Sequence, residues 1–317
     1  MSRRKIGPKN AAKLAPTTMT QIIALMTRDY VMVAADRRLT DLKTQKPCKE
    51  EACKLVSLCN CTVIAYSGYA ELDGLETHDW IARHLLDANC VGASAAGKII
   101  RKNAMLSFQR LYERIPHTFL LAGWTLNQES GKPEPFFTAI SNVIAADGCY
   151  TYPGSGFSVW SRQLQTAEDD LGLVFGTGLD RDRSIRFERR VKGQLHGRQS
   201  PSMVMHTLIE EIVTTSRRPA IGVNERILSC CLPAAPCAHW LRTGTPLPLP
   251  AAEPNPNFPS FGYFVSGMKQ PKQFAPTVVC GTMGMTRGFT EAIQGGTRTS
   301  MTLMRPRGWP NSPASRR

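Results

Sequence analysis

Apolar residues in the first third of the chain come in short continuous runs rather than in helical stripes. Ile22–Met26 and residues 30–35 flank a polar Thr27-Arg28-Asp29 turn. That pattern predicts a β-hairpin whose second strand ends on a carboxylate, Asp36. Lys54-Leu55-Val56-Ser57-Leu58 then opens another strand, and Thr62–Ser67 forms a fourth, closed by Gly68. The period changes next. Residues 77–88 carry apolar side chains at 80, 81, 85 and 86, a helical stripe. Ser94 is placed to cap a second helix with Ala96, Ile99, Ile100, Leu106, Phe108 and Leu111 on its buried side, and Pro116 ends it. Residues 117–124 read as a buried strand with 136–144 as its neighbour. A third long helix starts at Ser200-Pro201, because proline suits the first helical turn, and buries Val204, Leu208, Ile209, Ile212 and Val213. Residues 226–232 read as a strand stopped by Pro233.

Composition shifts beyond that point. Prolines at 233, 236, 246, 248, 250, 254, 256 and 259 predict a linker or an extended wrapping segment. Residues 261–265 and Thr277–Cys280 are expected as short strands, and the Gly-, Thr- and Arg-rich remainder as disordered. Of the 317 residues no apolar run approaches the roughly 20 needed to span a bilayer. Residues 1–19 are basic but lack the apolar segment of a secretory signal. A soluble, cytoplasmic protein with no membrane partner is the expectation.

Two chemistries are disfavoured. The ten cysteines form no Cys-x-x-Cys pair and the six histidines are dispersed, so structural thiols are expected in place of a metal site, and no cofactor is implied. The net charge of +14 invites nucleic acid. Yet the basic residues are spread over Ser2-Arg3-Arg4-Lys5, 181–192, Arg217-Arg218 and the tail, with no interleaved aromatics. A solvated basic surface suited to acidic partners is the simpler account.

One constellation stands out. Thr20 lies sixteen residues before Asp36, which closes an Ala-Ala-Asp-x-Arg strand end (Ala34 to Arg38); Lys54 opens a later strand, and Ser67-Gly68 ends the one after it. In this order and spacing these residues resemble those of the proteasome β-subunits and their bacterial proteasome-like relatives, threonine peptidases of the N-terminal-nucleophile hydrolases. Lys54 lies two positions later than usual, an offset that the loop 40–51 can absorb. Thr17 and Thr18 stand nearby, and only the spacing to Asp36 selects Thr20.

The resemblance implies an α+β fold, a four-layer αββα sandwich of two antiparallel sheets flanked by helices. Residues 20–233 would form the hydrolase domain, 1–19 a basic leader and 234–317 an irregular Pro/Gly-rich extension. It implies that Thr20 is the nucleophile, that Lys54 and Asp36 support it, and that the Gly68 N–H stabilises an oxyanion. Thr177, in Val174-Phe175-Gly176-Thr177-Gly178, would contact the catalytic amine. The α-amine of an N-terminal Thr has a pKa near about 7.7–8.0, so it can take the hydroxyl proton at neutral pH. Thr20 must then become the N-terminus, through a start at Met19 with Met removal or through autoprocessing. The implied substrate is a peptide or other amide. The implied partners are further copies of the chain, with an unfoldase or regulator as a further candidate. The family carries an Asp after the third helix and a Ser three residues on. Here Arg217-Arg218-Pro219-Ala220-Ile221-Gly222 supplies neither. That departure keeps an alternative open, an inactive proteasome-like structural subunit.

Overall fold

The computed structural model describes residues 20–40, 47–52, 54–58, 61–88, 90, 92–111, 115–127, 129–164, 173–176, 181–216, 227–243, 262–266, 277–280, 283–285 and 303–304. The fold is mixed α+β with antiparallel sheets. The chain opens with β1 (Ile22–Met26) and β2 (Tyr30–Asp36), buried at every position. They pair antiparallel with Ile22 opposite Ala35, and Thr27 closes the hairpin through its hydroxyl and N–H, both bonded to Tyr30 O. A small arm follows, β3 (Arg38–Thr40) against β4 (Pro47–Glu51). It occupies part of the stretch 40–51, expected as a loop. β5 (Leu55–Leu58) and β6 (Thr62–Ser67) come next, then the two-residue strands β7 (Glu71–Leu72) and β8 (Leu75–Glu76).

Helices α1 (Thr77–Asp87) and α2 (Ala93–Arg110) follow, then β9 (Thr118–Leu126), β10 (Pro133–Ser141), β11 (Ser158–Gln163) and β12 (Leu173–Gly176). Helices α3 (Arg181–His196) and α4 (Pro201–Ser216) lead to β13 (Ile227–Pro233) and α5 (Ala234–Thr243). Strands β14 (Gly262–Ser266), β15 (Thr277–Cys280), β16 (Met283–Met285) and β17 (Leu303–Met304) end the described chain. Among the described residues one sheet runs β12-β1-β2-β13-β14 and another β11-β10-β9-β6-β5-β15-β16-β17. The β5–β15 pairing is parallel, an exception to the expected antiparallel order. Thus strands from beyond residue 260 pair with both sheets.

Side chains alternate along a strand, so neighbouring residues serve opposite faces. Ile22, Ala24, Met26, Val31, Val33 and Ala35 share one buried cluster with residues of the second sheet and with α1 and α2. Ile23, Leu25, Met32 and Ala34 share another with Phe187 and Val191 of α3 and Val204, Leu208 and Ile212 of α4. This two-sided burial explains the continuous apolar runs.

Several local expectations are corrected. Gly92, not Ser94, caps α2, in an extended conformation and without a side-chain bond. Leu106, expected inside, is 45% exposed, because the buried row of α2 is Ala96, Ile100, Ala104, Ser107 and Phe108. Helix α3 has no counterpart among the expected elements. The stretch after Pro233, expected as linker, begins with α5. Pro236 is tolerated in its first turn, where a helix needs no N–H donor, while Cys237 is buried.

Candidate active site

The open end of the β1–β2 hairpin brings Thr20, two residues before β1 begins at Ile22, beside Asp36 at the end of β2. Gln21 N–H donates to Asp36 Oδ1 at 2.8 Å, and Arg38 N–H to Asp36 Oδ2 at 3.0 Å. In the other sheet Lys54 immediately precedes β5, and Tyr66 N–H bonds to its carbonyl at 3.3 Å, which registers Lys54 against the end of β6. Four strand ends therefore converge.

Lys54 sits at the centre. Its Nζ donates to Thr20 Oγ1 at 2.6 Å and to Arg38 O at 2.5 Å, and lies 3.5 Å from Asp36 Oδ2. The three side chains are buried. Ser67 closes the cluster by donating its hydroxyl to Thr20 O at 3.3 Å. The ammonium thus has a carboxylate, a carbonyl and a hydroxyl as partners.

Burial penalises charge in both members of the ion pair. It pushes the Asp36 carboxyl up, against the Lys54 charge and the N–H donors of Arg38 and Gln21. It pulls the Lys54 ammonium down against the attraction of Asp36, and the nearby Arg37 and Arg38 charges pull the same way. A lysine so held releases a proton more readily than one in water, and it is within hydrogen-bond reach of a hydroxyl. That arrangement suits moving a proton between Thr20 Oγ1 and its surroundings.

Gly68 follows Ser67 with φ +122°, in the region that favours glycine. A Cβ there would run into the His117 ring and come within 2.7 Å of Pro116 O. Of the expected site residues, the structure brings Thr20, Asp36 and Lys54 into direct contact and sets Gly68 next to Ser67, which touches Thr20. Thr177 and the segment 217–222 lie outside the described residues.

Sequence reasoning missed three participants. In the sequence Ser67 reads only as the small residue before Gly68, Arg37 only as part of a strand-end motif, and His117 only as the start of a strand. Arg37 is wholly buried beside the cluster. A lone histidine opening an apolar strand carries no signal of its own. Its closeness to Gly68 exists only once β6 and β9 pair, Ser67 opposite Thr118.

A separate groove of about 1310 Å³ lies between α2 and the β10–β11 edge, lined in part by Lys98, Arg101, Met105 and Trp160; none of the cluster residues lines it. Among the described residues no group of three His, Cys, Asp or Glu side chains could hold a metal, and no helix is long and apolar enough to cross a membrane. Neither a protein-family model nor a curated protein matches the chain.

Proposed function

We propose that the protein is a threonine-type N-terminal-nucleophile hydrolase that cleaves peptide or other amide bonds through an acyl ester on Thr20. The observation that carries this reading is the 2.6 Å bond from Lys54 Nζ to Thr20 Oγ1, inside a buried cluster anchored by Asp36. A hydroxyl held on a proton-labile, charged amine is an activated nucleophile in the general sense.

In the proposed reaction, Thr20 Oγ1 attacks the scissile carbonyl and its proton passes to the free α-amine of Thr20. Lys54, hydrogen-bonded to that oxygen, steadies the negative charge that develops there. The carbonyl electrons move to an oxyanion facing the Gly68 N–H. Collapse breaks the C–N bond, and the departing amine takes the proton from the α-amine. Water then attacks the ester while giving a proton to the α-amine, and that proton passes to Thr20 Oγ1 as the acid is released.

The same reading takes the two sheets as the inner layers of an αββα sandwich, with α1 and α2 outside one and α3 and α4 outside the other. The two buried clusters, one shared between sheets and one between a sheet and α3–α4, support it. Residues 20–233 would be the catalytic unit, and copies of the chain would assemble with one another.

The test begins with intact mass and N-terminal sequencing, followed by fluorogenic peptide amides and Thr20→Ala. A chain beginning at Thr20 should turn over such amides, and Thr20→Ala should abolish that turnover while the protein stays folded. A stable N-terminus upstream of Thr20 would keep its nitrogen in a peptide bond. The fold would then serve as an inactive structural subunit.

A further inference from the structure

We propose that His117 is a positioning residue that clamps the Gly68–Tyr69 turn and so aims the backbone at the carbonyl to be attacked, an inference that rests on the hydrolase reading above. The contacts are specific. Tyr69 N–H donates to His117 Nδ1 at 3.0 Å, and the ring is packed so closely on Gly68 that no Cβ would fit between them. The imidazole therefore holds both residues of the turn, one by contact and one by a hydrogen bond.

The clamp is itself anchored. His117 N–H donates to Asn142 Oδ1 at 2.7 Å, and Asn142 N–H returns a bond to His117 O at 3.1 Å. Asn142 Nδ2 reaches Ile115 O at 2.9 Å and Gly154 O at 3.2 Å, tying the approach to β9 to the loop after β10. The ring lies among Phe119 at 4.4 Å, Phe108 at 5.1 Å and Tyr69 at 6.3 Å between centroids. Burial holds its pKa down to about 3, with no charged side chain among the described residues contributing to the shift. The neutral ring thus keeps Nδ1 free of a proton to accept from Tyr69, with the proton on Nε2, an atom that is buried without a hydrogen-bond partner among the described residues. A histidine placed only to fill the core gains nothing from that orphaned N–H over an apolar side chain. The acceptor at Nδ1 is what the position uses.

The substitutions separate acceptor from shape. Asn at 117 places its amide oxygen where Nδ1 stands, Gln places it nearer Nε2, and Leu removes the acceptor. Kinetics on a fluorogenic peptide amide should show kcat of His117→Leu down about 10- to 100-fold, somewhat less than outright loss of an oxyanion donor. KM should stay within about twofold, since the turn acts on the developing oxyanion more than on ground-state binding. His117→Asn should recover kcat to within about threefold, and His117→Gln should follow Leu. Selective ¹⁵N-tyrosine labelling reads the bond directly, with Tyr69→Phe assigning the resonance. The Tyr69 amide proton should move upfield in the Leu and Gln variants and stay in place in Asn.

A Leu variant with unchanged kcat, a Gln variant as active as Asn, or an unmoved Tyr69 resonance in Leu overturns the clamp. If Leu does not fold, the Asn–Gln pair decides. Turnover that survives Thr20→Ala, or absence of turnover from a chain beginning at Thr20, overturns the hydrolase reading and this inference with it. An unmoved amide resonance alongside Thr20-dependent turnover overturns the clamp alone.

Discussion

Among the described residues, two clusters of buried charge use the fold differently. At the strand ends, Asp36 and Lys54 are almost fully enclosed, 0% and 2% exposed. Between the helices, Arg183 of α3 pairs with Glu211 of α4, at 8% and 9% exposed, and Arg190 joins from a position 45% exposed. Glu211 accepts from both arginines, and its carbonyl accepts from Arg183 at 3.1 Å and from Thr215 at 2.9 Å. The charged side chains of this cluster bond one another, and its one hydroxyl, that of Thr215, donates to the Glu211 carbonyl and not to a charged side chain, so the cluster braces two helices. The strand-end cluster delivers one of Lys54's bonds to a hydroxyl that can react. Burial of an ion pair does not by itself mark a catalytic site. Under the proposed function, the identity of the third partner is what separates the two clusters.

Lys54→Met should break this distinction most forcefully. Without the ammonium, turnover of a peptide amide should fall by about 10²- to 10³-fold, the range associated with losing a group that stabilises developing charge. Stability should also fall, by up to about 3–5 kcal/mol, because Asp36 loses its counter-charge while remaining buried. The backbone donors Gln21 and Arg38 moderate that loss. Urea unfolding and kcat, measured on the same preparation, separate the two effects. Retained turnover in the folded variant would reduce the strand-end cluster to a second brace.

The two clusters also differ in how far the sequence announced them. The hairpin was legible because β1 and β2 are continuous apolar runs divided by a polar turn, and Asp36 ends the second. Lys54, just ahead of an apolar strand, was legible for the same reason. The helix brace was not, because α3 buries few apolar residues. Phe187 and Val191 lie inside while half of its residues are charged, so charge masked the period. Gly68 could be placed as a strand-ending glycine, but His117 could not be joined to it. That contact needs the pairing of strands fifty residues apart, a register fixed by the hydrophobic faces of the sheet and by nothing near either residue. Helix α5 was hidden by the prolines that surround it.

Glu211→Leu tests the other side of the comparison. It leaves Arg183 largely buried without its carboxylate, so unfolding free energy should drop by about 3 kcal/mol. The kcat of the folded fraction should equal that of the parent, because no strand-end residue touches Glu211. Adding Arg183→Leu to that variant should restore part of the loss, since the stranded charge is then gone. A fall in kcat larger than the unfolded fraction explains would mean that the helix layer shapes the site, and the two clusters would have to be treated as one.

The smallest effect belongs to Arg190→Ala. Its guanidinium is 3.2 Å from Glu211 Oε2, and Phe187 lies beneath it at 5.7 Å, but water reaches nearly half of the side chain. An exposed member of a charge cluster contributes less than about 1 kcal/mol, and salt screens it. The change in urea midpoint should therefore be small at low ionic strength and smaller still in concentrated salt, whereas the Glu211→Leu loss should persist, because the charge it strands is shielded from salt. If Arg190→Ala proves as damaging as Glu211→Leu, Glu211 depends on both arginines equally. The brace would then be a three-residue network whose strength lies in its rim, the opposite of the strand-end cluster, where every charged member is inside.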